Sequence, residues 1–162
     1  PGQVPARSSS DQLATSMDLL PTIAKLAGGQ APQDRIIDGK DIWPLLSGAS
    51  EAKSPHRAFY YYYRGQLEAL RSGNWKLHVA RERTAKGRTT KIPLQLYNLK
   101  RDIGEANNIA DANPKVVKRL EALIEKARKD LGDDHPDHKT EGRNTRPAGY
   151  VENAIILHGK PD

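Results

Sequence analysis

The chain has 162 residues, of which 36% are hydrophobic and 28% are charged, and its formal net charge at pH 7 is +6. It contains no cysteine, which excludes disulfides, thiolate zinc sites and cysteine nucleophiles. No apolar run approaches the roughly 20 residues that a membrane-spanning helix needs, so no membrane partner is predicted. This length predicts one domain, or one small domain together with part of another.

The first predicted unit is residues 1–50, which begins with a loop rich in Pro, Gly and Ser. Residues 12–17 are predicted to form a short strand. The apolar spacing over residues 19–27 predicts a helix that ends at Gly28. Asp18 is expected to cap this helix by accepting hydrogen bonds from the amides of its first turn. Strand and helix are apolar on nearly every side, and little in the rest of the chain is able to cover both sides.

The second predicted unit, residues 51–132, has the pattern of a small α+β domain. Three β-rich runs over residues 59–79, separated by turns at Arg64-Gly65 and at residues 72–74, predict antiparallel strands. A basic, flexible insertion over residues 81–91 then leads to a fourth predicted strand at residues 94–99. The result is a sheet of about four antiparallel strands with one apolar face to cover.

A long helix is predicted to cover that face of the sheet. It starts at Pro114, capped by Asn113 or Asp111, and its apolar residues recur at spacings of three and four until about Leu131. Glu125 and Lys129 are expected to form an i,i+4 ion pair on its outer face, and Gly132 ends it. The third predicted unit, residues 133–162, is a polar extended tail.

Positive charge is concentrated in one part of the chain. Between Arg71 and Arg101 there are nine Lys or Arg residues and a single carboxylate, Glu82, so this segment alone carries +8. Such a field attracts phosphate, sulfate or polyanionic sugar, although a solvated hairpin tip gives the same pattern.

Few side chains in the sequence are candidates for catalysis or metal binding. The segment from Asp134 to His138 has metal-ligand residue types, but it lies in the tail beside a proline and is interpreted as solvated. His78 follows Lys76 on the polar side of its strand. It could serve as an acid–base group or an anion donor, or it could simply be a surface or interface histidine. Neither a hydrolase nucleophile elbow nor a phosphate-binding glycine loop is present.

Four stretches together give the chain a specific resemblance. They are SMDLLPTIAKLAG (16–28), IDGKDIWPLLSG (37–48), FYYYYRGQLEALRSGNWKLH (59–78) and LYNLKRDIGEANNIA (96–110). In this order they resemble the C-terminal portion of type I sulfatases, the arylsulfatase family within the alkaline-phosphatase-like superfamily. The resemblance implies that residues 1–50 end a large α/β sandwich domain and that residues 51–132 form the small C-terminal subdomain.

What the resemblance implies about activity concerns residues that this chain lacks. The family cleaves sulfate esters with a formylglycine, made from Cys or Ser in a C/S-x-P-S-x-R motif, beside a calcium ion. The segment from Ser54 to Arg57 does not fit that motif. The chain is therefore expected to be a fragment that follows the catalytic machinery and is inactive alone, with no catalytic or metal-ligating residue of its own. Its expected partners are the catalytic domain and a sulfated small molecule or glycan.

Three hypotheses follow for the chain. In the first it shapes the substrate cleft of a sulfatase, periplasmic or secreted as the resemblance favours, and stabilises the catalytic domain. The second is a small basic module that binds sulfated polysaccharide or, with less support, nucleic acid. The third is a structural subdomain without a ligand. For the first, the polar and aromatic hairpin provides five candidate substrate contacts: Tyr62, Arg64, Gln66, Arg71 and His78.

Overall fold

A four-stranded antiparallel sheet and one long helix form the centre of the molecule. The computed structural model describes residues 2–85, 87–135 and 146, with the backbone alone at residues 83–85. The strands are β1 (Phe59–Tyr63), β2 (Gln66–Ser72), β3 (Trp75–His78), β4 (Arg81–Ala85), β5 (Arg88–Ile92) and β6 (Gln95–Asn98). The helices are α1 (Leu19–Leu26), α2 (Trp43–Leu46) and α3 (Pro114–Leu131). The main sheet has the order β1-β2-β3-β6, which confirms the predicted α+β fold class.

The core lies between this sheet and α3. Leu70, Leu77 and Leu96 are direct neighbours across β2, β3 and β6, and none of the three is exposed. Leu120 and Ile124 of α3 pack into the same cluster. The spacing of the apolar residues in α3 therefore corresponds to the face that it buries, as the sequence predicts.

Two backbone features shape the hairpin of β1 and β2. Arg64 and Gly65 both have positive φ, 50° and 79°, which is the two-residue turn that matches the twist of antiparallel strands. Further along, Tyr61 pairs with Ala69 but Tyr62 pairs with Leu67, so Glu68 is an extra residue on β2. Because of this bulge, Leu67 joins Leu70 in the core instead of pointing to the opposite face.

The end of α3 is fixed by a buried carboxylate. Gly132 ends the helix with a φ of 85°, as predicted. Asp133 then accepts hydrogen bonds from Arg128 Nε (2.9 Å) and from the Leu67 amide (3.0 Å). The predicted pair between Glu125 and Lys129 is wrong: Glu125 contacts Arg128 at 2.5 Å, because Arg128 already faces this end of the helix.

The N-terminal segment contains α1 but not the predicted strand. Residues 12–15 are irregular and a 3₁₀ helix occupies Ser16–Asp18, so the strand prediction at residues 12–17 is wrong. A strand needs a hydrogen-bonded neighbour, and within the described ranges none lies alongside. Ser54 instead holds the segment, since its Oγ donates to the Leu13 carbonyl (2.5 Å) and its amide donates to the Gln12 side chain (3.0 Å).

The basic insertion is also more regular than expected. β4 and β5 pair as a separate two-stranded hairpin, from Arg81 opposite Ile92 to Ala85 opposite Arg88, so the prediction of a flexible insertion is wrong. The β-branched residues Thr89 and Thr90 favour this extended pairing. Within the described residues, no helix is long and apolar enough to cross a membrane. The boundaries predicted for the three units stay predictions.

Candidate functional site

One face of the main sheet carries polar and aromatic side chains instead of the core. The strand registers place Tyr61, Arg71, Lys76, His78 and Tyr97 on this side, opposite α3. We call it the polar face. The Lys76 ammonium lies 4.9 Å from the centre of the Tyr61 ring, and the His78 and Tyr97 rings meet edge to face at 5.8 Å. Cation–π and aromatic edge contacts of this kind fix side-chain orientation.

Glu105 connects the cations of the polar face. One carboxylate oxygen lies 2.5 Å from Lys76 Nζ and the other lies 2.8 Å from His78 Nε2. Burial alone would raise the pKa of Glu105, but the hydrogen bonds from Lys76 and His78 outweigh it and lower the pKa. Glu105 is therefore ionised at neutral pH and acts only as an acceptor.

The backbone at Glu105 is held in an unusual conformation to make these contacts. Its φ is 54°, in the left-handed region that residues other than glycine rarely adopt. Asp102 stabilises the loop, since its carboxylate accepts from the amides of Ala106 (3.0 Å) and Asn107 (2.8 Å). Asn108 then joins the loop to β6 by accepting from the Leu96 amide at 3.0 Å. The Asp, Glu and Asn of the motif beginning at Leu96 thus form one supporting loop.

His78 is neutral at neutral pH for electrostatic reasons. Burial lowers its pKa, and the neighbouring cations Lys76 and Arg81 act in the same direction, whereas Glu105 acts against them. The net direction is downward from 6.5. A neutral ring has a single N–H, and His78 Nε2 already lies 2.8 Å from Glu105, so the role of an anion donor is not favoured at neutral pH.

The five predicted substrate contacts do not form a single cluster. Arg71 and His78 lie on the polar face, and Arg71 donates to the carbonyls of Gly73 and Asp11, each at 3.1 Å. The other three lie at the β1–β2 turn. Arg64 stacks over Tyr63 at 5.3 Å, and Gln66 pairs with Tyr63 across the hairpin.

Tyr62 is held by the end of α3. Its hydroxyl donates to the Gly132 carbonyl at 2.9 Å. Burial, with the negative charge of Asp133 nearby, raises the pKa of Tyr62 to about 12. The hydroxyl therefore stays protonated, and its hydrogen bond to Gly132 joins β1 to the end of α3. Whether any of the five residues binds substrate stays a prediction.

A second polar cluster joins the N-terminal segment to the residues that precede β1. Asp18 is fully buried, and its carboxylate accepts from the amides of Thr15 (2.7 Å) and Lys40 (2.8 Å) and contacts His56 Nε2 at 2.6 Å. Asp18 directly precedes α1 but makes no capping hydrogen bond to it, so its predicted capping contact is wrong. The carboxylate instead binds Thr15, in the preceding segment, and Lys40, in the connection between α1 and α2 that we call the Lys40 loop.

Sequence reasoning missed the residues that organise both clusters. Glu105 and Lys76 stood within quoted motifs, which is the signal that could have found them. His56 gave no local signal, because its partner is 38 residues away.

A groove of about 570 Å³ lies between the first and second predicted units. Its lining includes Ile37, Phe59 and Tyr60. At one side Arg146 pairs with Asp38 at 2.7 Å and with Asp130 at 2.6 Å, which connects the Lys40 loop to the end of α3. The groove is mainly apolar, and His56, which also lines it, is held by Asp18 at 2.6 Å.

The residues that the structure describes do not fit a metal ion. No group of three or more His, Asp or Glu side chains among them could hold one. The metal-like segment at residues 134–138 lies outside the described residues from Pro136 onward. Its first two residues make contacts elsewhere in the fold: the Asp134 amide donates to the Gly65 carbonyl and the His135 amide donates to Asp133.

Comparison with known families identifies the chain. The family described as the C-terminal region of aryl-sulfatase matches residues 54–150. The chain belongs to this family. Its match extends over β1 to β6 and α3, which include all the elements that form the polar face and the core.

Curated relatives agree with the family assignment. Human arylsulfatase D is 33% identical over 158 residues, covering 81% of this chain and 26% of the relative. Human arylsulfatase A is 35% identical over 145 residues, covering 76% of this chain and 28% of the relative. The chain therefore spans about a quarter of the length of the curated sulfatases it matches.

Solved structures share the fold. The crystal structure of Ps i-CgsB matches with a TM-score of 0.59 and 25% identity, over 78% of this chain and 26% of that one. BT4656, solved with its substrate D-glucosamine-2-N,6-O-disulfate, matches with a TM-score of 0.50 and 26% identity, over 76% of this chain and 25% of that one.

Proposed function

We propose that this chain is the C-terminal part of a longer sulfatase, where it supports the catalytic domain and provides one wall of the substrate cleft. The observation that carries the proposal is the exposed apolar face of α1. Met17, Leu19, Leu20, Ile23 and Leu26 are 44–60% exposed, on a segment held by a fully buried carboxylate. An ordered helix with such a face normally packs against another element.

The catalytic domain is the partner that this face fits. The matched region is only about a quarter of each curated relative, so those sulfatases carry much more chain than is present here. The apolar face belongs to the segment that resembles the end of the large sulfatase domain. Calcium and formylglycine, as the family resemblance implies, would be supplied upstream of this chain. A periplasmic or secreted location stays a prediction from the same resemblance.

The polar face is the best candidate for the cleft wall. It combines Lys76 and His78 with the aromatic rings of Tyr61 and Tyr97, a mixture suited to a sulfated sugar. BT4656 acts on a sulfated glucosamine, which supports the same substrate class for this chain. The hypothesis of a basic binding module is weaker, because Arg81 already lies 3.7 Å from Glu68 and Lys91 lies 3.5 Å from Glu82.

Activity measurements test the proposal directly. The full-length protein that contains this chain is expected to hydrolyse a sulfate ester, measured as sulfate release from 4-nitrophenyl sulfate and from glucosamine sulfates. The chain alone is expected to release none. Turnover by the isolated chain, or a full-length protein inactive on every sulfate ester tried, would contradict the proposal.

Replacing Ile23 by Asp tests the apolar face. Ile23 is 60% exposed, so the variant should change the unfolding free energy of the isolated chain by no more than about 0.5 kcal/mol. In the full-length protein the same carboxylate would be buried without a partner, at a cost of about 3 kcal/mol. Ile103→Asp is the matched control, since Ile103 is 81% exposed and lies far from α1 in sequence. Equal effects of Ile23→Asp in both proteins, measured by urea unfolding, would exclude docking through α1.

A further inference from the structure

The contact between His78 and Glu105 determines which ring nitrogen carries the proton. Glu105 is ionised and its oxygens can only accept, while His78 Nε2 lies 2.8 Å from one of them. The Nε2 atom must therefore be the donor. Because the ring is neutral at neutral pH, the other nitrogen, Nδ1, has no proton and presents a lone pair.

Nδ1 is available to a ligand. It makes no hydrogen bond to any residue in the part of the chain that the structure describes, and it is not among the polar atoms enclosed without a partner there. The His78 side chain is 18% exposed, so its edge reaches the surface of the polar face. The Tyr97 ring packs edge to face against the imidazole and restricts its rotation.

We propose that Glu105 is a positioning residue that holds His78 with its proton on Nε2, so that Nδ1 accepts a hydrogen bond from a substrate hydroxyl. This inference rests on the proposed function, in which the polar face borders the cleft. An atom that can only accept binds hydroxyl or N–H donors and not sulfate oxygens, which have no proton to give. His78 thus selects for a sugar hydroxyl beside the sulfate ester, while the sulfate itself binds elsewhere.

The surrounding charges maintain this arrangement. Lys76 shares Glu105 with His78, so the carboxylate stays ionised and in place. Arg81, which lies 3.7 Å from Glu68, also acts on His78 electrostatically. These two cations disfavour a proton on Nδ1, which would give His78 a positive charge beside them.

Two substitutions separate the roles of the two ring nitrogens. Gln at position 78 retains a donor near the Nε2 position but has no acceptor at the Nδ1 position. Asn at position 78 retains an acceptor near the Nδ1 position but does not reach Glu105. In the full-length enzyme, His78→Gln is expected to raise KM for a glucosamine sulfate with free hydroxyls about three- to tenfold, with kcat changed less than about twofold. His78→Asn should recover part of that loss.

A substrate without hydroxyls provides the internal reference. For 4-nitrophenyl sulfate, both variants should keep kcat/KM within about twofold of the wild-type value. Glu105→Gln can donate to the ring as well as accept from it, so it should raise KM for the hydroxylated substrate in the same range. Glu82→Gln is the matched control, because Glu82 is an exposed carboxylate near Lys91. It should leave the kinetic constants for both substrates unchanged. Equal losses for both substrates in His78→Gln would overturn the hydroxyl assignment.

The proton position has a readout that does not depend on activity. Long-range ¹H–¹⁵N correlation spectra of the full-length protein at pH 7 should show His78 as the neutral form with its proton on Nε2. In the spectra of Glu105→Gln, a second neutral form of His78, with its proton on Nδ1, should appear beside the first. A wild-type imidazolium, or a proton on Nδ1, would overturn the positioning role of Glu105. If the wild-type enzyme cleaves no sulfate ester, the proposed function fails, and these spectra still decide the role of Glu105.

Discussion

Replacing Asp18 by Asn is expected to lower the free energy of unfolding by about 3–5 kcal/mol, the usual cost of breaking a buried ionic contact. The carboxylate receives three donors: the Thr15 and Lys40 amides and His56 Nε2. A side-chain amide offers one oxygen and one NH₂ group, so in either orientation of the new side chain a donor faces a donor. Urea unfolding of the purified protein measures the loss.

Asp34→Asn is the matched control for this substitution. Asp34 contacts Arg35 at 2.6 Å, but its side chain is 64% exposed, and such surface pairs contribute little to stability. A loss in Asp18→Asn no larger than in Asp34→Asn would show that the buried cluster does not hold the N-terminal segment.

The pH dependence of stability provides a second check on Asp18. Burial raises the pKa of Asp18, but the hydrogen bonds from Lys40, Thr15 and His56 outweigh it, and the pKa lies below its usual 3.8. A carboxyl with a lowered folded-state pKa stabilises the protein above its unfolded-state pKa and loses that contribution as pH falls through the folded-state value. Wild type and Asp18→Asn should therefore differ most above about pH 4 and converge below it.

Gly39→Ala should destabilise the chain by about 3 kcal/mol, at the upper end of overpacking effects. A Cβ at Gly39 would lie 1.9 Å from the Met17 carbonyl oxygen and 2.6 Å from its carbon. Both Met17 atoms belong to the backbone. The residues that follow the two positions, Asp18 and Lys40, are joined by a hydrogen bond, so the two backbone segments cannot move apart without breaking it. Thermal unfolding of the purified protein measures the effect.

Gly104→Ala is the control for the glycine substitution. No atom lies within 4 Å of a Cβ at Gly104, and its φ is not positive. The variant should be unchanged or slightly more stable, because alanine restricts the unfolded chain. Comparable losses of stability in Gly39→Ala and Gly104→Ala would mean that the close contact between Gly39 and Met17 does not constrain the fold.

Local signals in the sequence predicted the sheet and its helix well. The Arg64-Gly65 turn joined two β-rich runs, and the stripe of apolar residues between Pro114 and Gly132 gave the length of α3. Each of these depends on residues close together in sequence. The bulge at Glu68 was not predictable in this way, because it depends on how β2 pairs with both of its neighbours.

The polar contacts could not be predicted from spacing alone. Glu125 had two equally plausible cations on α3, and the choice of Arg128 follows from Asp133, which lies beyond the helix. Likewise, His78 was recognised as a candidate, but the contact of its Nε2 atom is with Glu105, 27 residues later. The predicted strand at residues 12–17 failed for the related reason that strands require partners, which a local pattern does not supply.

The contact between Asp18 and His56 can form only late in the synthesis of this segment. The two residues are 38 positions apart. Ribosomes add about 5–20 residues per second, so Asp18 is made roughly two to eight seconds before His56 exists. During that interval α1 can meet only protein made earlier. In the longer sulfatase that we propose, the helix would therefore pack on the upstream domain first, and the segment that carries His56 would fix it there afterwards.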